Sequence, residues 1–328
     1  MSLRKAYSEM LRLNALTKVY SRGHKPAIED VSFDVRDGEI VGFVGLNGAG
    51  KTTTIRISGG LTLPTTGNVF VDGHDIVKNK SEASSSIGFV PEFPYFEQSW
   101  AAADLLVYFG SFYGMSKHEV LERATELFQE VNLLGYERKK LRTYSQGMKK
   151  RFSLTAALLS DPKNLLLDEI LNGLDAEGIH FFRSLIIELR KKGKAVLLSS
   201  HNLTEIENVS DRIVFIHRGK IVKIVTKQEL AQLERASGAL KMIIENLGDD
   251  MFEYLRTLGE VKSDGNTIWL SNFEVDPPQI SNELMKRGFL LREFHLEKPS
   301  LEEYFLELIE MVPIDARADL TVGRRPRK

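Results

Sequence analysis

The run Gly45-Leu46-Asn47-Gly48-Ala49-Gly50-Lys51-Thr52 constrains this chain more than any other segment. It has the G-x-x-x-x-G-K-[ST] spacing, and it lies between a compact apolar run, Glu39–Val44, and the start of a helical pattern. A strand, a glycine-rich loop and a helix in that order make an anion cradle. The glycines let backbone N–H groups approach phosphate oxygens, and the helix N-terminus adds a favourable field. Lys51 is placed to neutralise the β/γ phosphates, and the Thr52 hydroxyl to ligate Mg²⁺. A dinucleotide-binding loop fits less well, because its glycine spacing differs and Lys51-Thr52 would be unexplained. The segment reads as a nucleotide site, with Gly45, Asn47, Gly48, Gly50, Lys51, Thr52 and Thr53 as its contacts.

A second segment, Asn164-Leu165-Leu166-Leu167-Asp168-Glu169, puts two acids directly after an apolar run. On a buried strand Asp168 would emerge at the carboxyl end, where open α/β sheets bind ligands. There it could enter a Mg²⁺ shell, leaving Glu169 free to polarise an attacking water. A solvated strand end is the plain alternative, and the phosphate cradle upstream weighs against it. Tyr144-Ser145-Gln146-Gly147-Met148 opens the helix-like run Lys149–Leu159, 94 residues from Lys51 to Ser145 and 23 from Ser145 to Asp168. Farther on come Asn172-Gly173-Leu174-Asp175 and, after another apolar strand, Ser199-Ser200-His201.

In this order the motifs over roughly residues 10–225 resemble the nucleotide-binding domain of ABC transporters. The resemblance implies a P-loop NTPase fold with a helical subdomain at about 93–158, and an ATPase using ATP and Mg²⁺. It implies two such domains facing head to tail, as a homodimer or with a related subunit, so that Ser145, Gln146 and Gly147 contact the nucleotide of the other subunit. Glu169 would be the catalytic base, His201 the switch that senses the γ-phosphate, Asp175 the D-loop aspartate and Tyr20 the ring against adenine. Glu92, in Val90-Pro91-Glu92, stands where glutamine is common and resembles the subgroup serving drug, antibiotic, polysaccharide and lipid exporters. It is a further candidate for Mg²⁺ contact. Gln146, Ile170 and Ala176 also depart from the usual residues, but none removes a reacting group.

The rest of the chain follows an α/β pattern. Val31–Val35 alternates like a strand, while Ile87–Val90, Leu165–Leu167 and Ala195–Ser199 are continuous apolar runs suited to strands covered on both faces. The ATP-binding domain is expected over 10–236. After about Ser237 the order strand 241–246, helix 249–258, hairpin 260–271, helix 277–287, strand 289–297 predicts a small α+β, ferredoxin-like domain over 238–311. A last helix over Leu301–Ile309 would start at Ser300 as N-cap. Its surroundings, Lys298–Leu306, resemble the Pro-Ser-Leu-Glu-x-x-Phe-Leu ending of the same exporter subgroup. The tail 312–328, with five basic and two acidic residues, is expected to lack a stable fold.

Composition narrows the function. No apolar run approaches the roughly 18–20 residues of a spanning helix, and the first ten residues lack a signal-peptide core. A transporter subunit of this kind needs a separate membrane permease, on whose cytoplasmic side it would sit. The absence of cysteine excludes disulfides and thiolate chemistry and fits a reducing compartment. With 44 basic and 45 acidic residues the net charge is −1, which disfavours attachment to nucleic acid by bulk electrostatics. One feature pulls the other way: Arg138, Lys139, Lys140, Arg142, Lys149, Lys150 and Arg151 cluster around the signature. A solvated surface beside the phosphates is the expectation, since aromatic interleaving is slight. The alternative function is a soluble ABC ATPase acting on nucleic acid or the ribosome. A third, a nucleotide sensor without turnover, is opposed by Glu169 and His201.

Overall fold

The computed structural model describes residues 9–21, 23–230, 238–297 and 301–311. The expectations for Ser300 and for the tail 312–328 lie outside them. The chain divides into two compact units, Met1–Val225 and Thr226–Lys328. That division falls ahead of residue 236, where the composition changes. There β10 ends at Thr226, whose hydroxyl accepts from the Glu229 amide while its own amide donates to the Glu229 carboxylate. This reciprocal cap starts a new element before the composition shifts.

The first unit holds two sheets. One is antiparallel, in the order β2-β1-β4-β5, from Glu9–Lys18 (β1), Ile28–Arg36 (β2), Thr66–Val71 (β4) and His74–Asp75 (β5). The other runs β10-β9-β3-β8-β7-β6, from Ile40–Val44 (β3), Ile87–Val90 (β6), Asn164–Asp168 (β7), Ala195–Ser200 (β8), Arg212–His217 (β9) and Lys220–Thr226 (β10). Its inner pairs are parallel. Every residue of β3, β7 and β8 is buried, which is why those strands read as continuous apolar runs. In β2 burial alternates more nearly, with Val31, Phe33 and Val35 turned inward. Leu11, Leu13, Val69 and Val71 of the first sheet share one core with Phe43, Leu166 and Leu197 of the second.

The helical subdomain comprises Ala102–Ser111 (α3), Lys117–Glu130 (α4), a 3₁₀ turn at Leu141–Thr143 and Gln146–Leu158 (α5), after Lys51–Ser58 (α1) and Lys80–Ser85 (α2). Local chemistry sets its boundaries. Ser116 and Glu119 form a capping box at the start of α4, and Ser145 caps α5 by accepting from the Met148 amide at 3.2 Å. Ala176–Lys191 (α6) and Leu203–Val209 (α7) complete the unit, with Asp175 and Asn202 as their caps.

The second unit is an antiparallel sheet in the order β12-β13-β11-β14, built from Ala239–Ile244 (β11), Glu260–Asp264 (β12), Thr267–Ser271 (β13) and Leu291–Glu297 (β14). Helices Asp249–Leu258 (α8) and Pro277–Lys286 (α9) set Met251, Leu255, Ile280 and Leu284 against Leu240, Met242 and Ile268. The helix Leu301–Met311 (α10) buries Leu301 and Phe305.

Candidate active site

The carboxyl ends of β3, β7 and β8 meet in register: Val44 lies opposite Ser200, and Asp168 opposite Ser199. That alignment gathers residues that are more than a hundred positions apart. A pocket of about 340 Å³ opens there, lined by Asn47, Gly48, Gly50, Lys51, Thr52, Thr53, Glu92, Glu169 and His201 together with Ala27 and Asn172. Gly50 has φ of 112°, and a Cβ on it would lie 2.6 Å from Ile28 Cγ2 and 2.9 Å from the Ala27 carbonyl. Only glycine suits that position, where the loop turns into α1. As at any helix start, the first amides of α1 lack partners within the helix, and the residues that carry them line the pocket.

Lys51 is buried, donating to the Gly45 carbonyl at 2.7 Å and the Leu46 carbonyl at 3.3 Å. Its ammonium also lies 3.1 Å from Glu169 Oε1. The Thr52 hydroxyl is 3.3 Å from Asp168 Oδ1, which also accepts from the Ser199 hydroxyl at 2.8 Å. Burial pushes the Asp168 carboxyl above its ordinary range, against the hydrogen bonds from Ser199 and Thr52. A cation beside this carboxylate would offset that cost. Hard oxygen donors on Thr52 and Asp168 suit Mg²⁺, which keeps waters and phosphate oxygens as further ligands.

Glu169 has partners on both carboxylate oxygens. Its Oε1 pairs with Lys51, while Oε2 accepts from Asn172 Nδ2 at 2.9 Å and from the His201 amide at 3.2 Å. His201 Nδ1 is 3.1 Å from the same oxygen. Glu169 also has φ of 49°, a left-handed conformation that side chains other than glycine rarely adopt. Such strain is retained where the surroundings over-determine it, most often at functional sites.

The other expected residues are distributed around this pocket. Tyr20 is exposed, with its hydroxyl 3.4 Å from Thr53 Oγ1 and the Lys18 ammonium 5.1 Å from its ring centre. Ser145, Gln146, Gly147 and Asp175 do not line the pocket of their own chain. The basic cluster is not one solvated surface. Arg138, Lys139, Lys140 and Arg142 are exposed, but Lys150 is buried and Arg151 lies 4.1 Å over the Phe181 ring. Two roles were not anticipated. Ser199 bridges Asp168 and the Glu169 amide, at 2.8 and 3.0 Å, and Asn172 bridges Glu169 and His201. Both stand in runs the sequence marked, but only the strand register shows what they touch.

A family model described as ABC transporter matches residues 28–172. The bacitracin transport ATP-binding protein of Bacillus licheniformis is 32% identical over 305 residues, covering 92% of this chain and 98% of that protein. The doxorubicin resistance ATP-binding protein of Mycobacterium tuberculosis is 30% identical over 305 residues, covering 90% and 92%. Among solved structures, an ATP binding subunit of an ABC transporter superposes with a TM-score of 0.63 at 30% identity, covering 68% of this chain and 92% of that one. The pocket and these likenesses agree: the chain belongs to the ABC transporter family, as an ATP-binding subunit whose ATP hydrolysis is coupled to transport.

Proposed function

We propose that this chain powers an exporter for a drug- or antibiotic-like compound by hydrolysing ATP against a separate membrane permease. The observation that carries the reading is the convergence of Lys51, Thr52, Glu169 and His201 on one pocket, with Asp168 directly behind Thr52. Lys51 and the loop amides hold the terminal phosphates, and Tyr20 offers its ring to adenine. Thr52 and Asp168 would hold Mg²⁺, with Glu92 in the pocket wall as a further contact, and the bound ion would supply charge neutralisation for the phosphates. Glu169 accepts the proton of the attacking water, and His201 orients it and contacts the γ-phosphate.

Ser145, Gln146 and Gly147 open helix α5 away from their own pocket, so their amides are available to the nucleotide of a second subunit arranged head to tail. Asp175, the N-cap of α6, is likewise outside its own pocket. Among the described residues no helix is long and apolar enough to cross a membrane, which leaves the crossing to a partner. A groove of about 390 Å³ beside the helical subdomain, walled by Phe96, Phe109 and Tyr113 and edged by the 89%-exposed Tyr95, suits a permease segment from the cytoplasmic side. The β-α-β-β-α-β order of the second unit supports a ferredoxin-like accessory domain, whose role in this reading is to steady the dimer or to regulate its opening.

Phosphate release and sizing chromatography test the reading together. Glu169→Gln should lower hydrolysis by about 10²–10⁴-fold while ATP still binds, and it should dimerise with ATP but not ADP. Adding Ser145→Arg should abolish that dimer. Coexpression with its cognate membrane protein should yield a detergent-stable complex. A chain that ignores membranes and binds ribosomes or DNA tightly at physiological salt would refute the transport reading.

A further inference from the structure

Lys150 is a buried charge that the reaction above does not use. It lies in the second turn of α5 and is only 8% exposed. A buried ammonium is costly unless its donors are satisfied. Lys150 donates to the Ile170 carbonyl at 2.9 Å and to the Asn172 carbonyl. Neither acceptor belongs to its own helix. Both lie in the loop that leaves β7 through Glu169 and ends at Asp175, the cap of α6. Burial lowers the Lys150 ammonium from the ordinary lysine range, while the Glu92 and Glu169 carboxylates act to raise it.

Asn172 carries the connection onward. Its backbone is held by Lys150, and its side-chain amide donates to Glu169 Oε2 at 2.9 Å and approaches His201 Nδ1 at 3.4 Å. Glu169 itself is in the left-handed conformation, which persists only where neighbouring contacts enforce it. The two carbonyls bound by Lys150 come from the first and third residues after Glu169.

We propose that Lys150 is a positioning residue for ATP hydrolysis: it pins the loop after Glu169 to the signature helix and, through Asn172, holds the Glu169 carboxylate where it can take the proton of the attacking water. The cap of that helix, Ser145, is the residue assigned above to a second subunit's nucleotide. Engagement of one chain's signature is thereby transmitted to the same chain's own base, an extension that rests on the head-to-tail reading.

The test uses the full chain and five variants: Glu169→Gln, Lys150→Met, Lys150→Arg, Asn172→Ala and the double variant Lys150→Met/Asn172→Ala. Steady-state phosphate release gives kcat and KM for Mg-ATP, and thermal melting reports folding. Lys150→Met should lower kcat by about 10–100-fold, the scale of a base displaced by about an ångström, with KM changed less than about threefold. Lys150→Arg keeps the charge and two donors and should recover most of kcat. Asn172→Ala should show the same split, and the double variant Lys150→Met/Asn172→Ala should lose no more than the larger single loss, because both act on one path. Multiplying losses in the double variant, or a normal kcat for folded Lys150→Met, would overturn the positioning role. If Lys150→Met fails to fold, a normal kcat for Asn172→Ala overturns it equally. An inactive Glu169→Gln beside a normal Lys150→Met defeats this inference alone, whereas a near-normal Glu169→Gln defeats the proposed base and this inference with it.

Discussion

Glu169→Gln is the natural variant for trapping the nucleotide, and its surroundings predict a second effect that the change of charge alone does not. A glutamine amide matches the size of a carboxylate, but one of its ends is a donor. Two partners of Glu169 can only donate, Lys51 Nζ to Oε1 and the His201 amide to Oε2, and Asn172 Nδ2 donates to Oε2 as it is now turned. Whichever way the glutamine is turned, its NH₂ faces at least one donor. The orientation that spares Lys51 sets NH₂ against the His201 amide, and only a rotated Asn172 or a neutral His201 Nδ1 can then accept. The Glu169 side chain is 5% exposed, so water does not make good the loss. Hydrogen bonds to charged groups contribute about 1.5–3 kcal/mol, and one such bond with partial replacement puts the cost at about 2 kcal/mol. For a unit of this size that is a fall in Tm of about 4–8 °C. Differential scanning fluorimetry without nucleotide, backed by urea unfolding, measures it. A Glu169→Gln protein melting at or above the native temperature would refute the donor-only account of this carboxylate, whatever its hydrolysis rate.

Two further substitutions probe the same framework. Ser199→Ala removes a fully buried hydroxyl that donates to Asp168 and accepts from the Glu169 amide, so urea unfolding should show a loss of about 3 kcal/mol. Ser199 lowers the Asp168 pKa, so its removal raises a folded-state value already held above the ordinary 3.8. A raised carboxyl loses stability as pH climbs through the interval between its unfolded and folded values; the Ser199→Ala deficit should therefore be smallest below pH 3.8 and widen above it. A deficit independent of pH would reject that linkage. Gly50→Ala must fit a Cβ 2.6 Å from Ile28 at φ of 112°. Calorimetry should find it destabilised by at least about 2 kcal/mol, with Mg-ATP binding lost, and a native-like titration would count against the close-packed loop.

Local features were the legible ones. The G-x-x-x-x-G-K-[ST] spacing and the hairpin over 260–271 rest on contacts a few residues apart, so the sequence determined them unaided. The continuous apolar runs likewise announced β3, β7 and β8 as strands buried on both faces. What touches what across the site was decided only by the tertiary structure. The order β10-β9-β3-β8-β7-β6 brings Asp168 beside Ser199 and within reach of Thr52, and nothing in the spacing of three separate strands states which of them will be neighbours. The same holds for the charges. As a string, Lys149-Lys150-Arg151 is a basic surface run; on a helix packed against the core its three side chains point in different directions, and Lys150 turns inward to the loop beyond Glu169. Residue type sets which atoms can donate and accept, but the packing of helix on sheet chooses their partners.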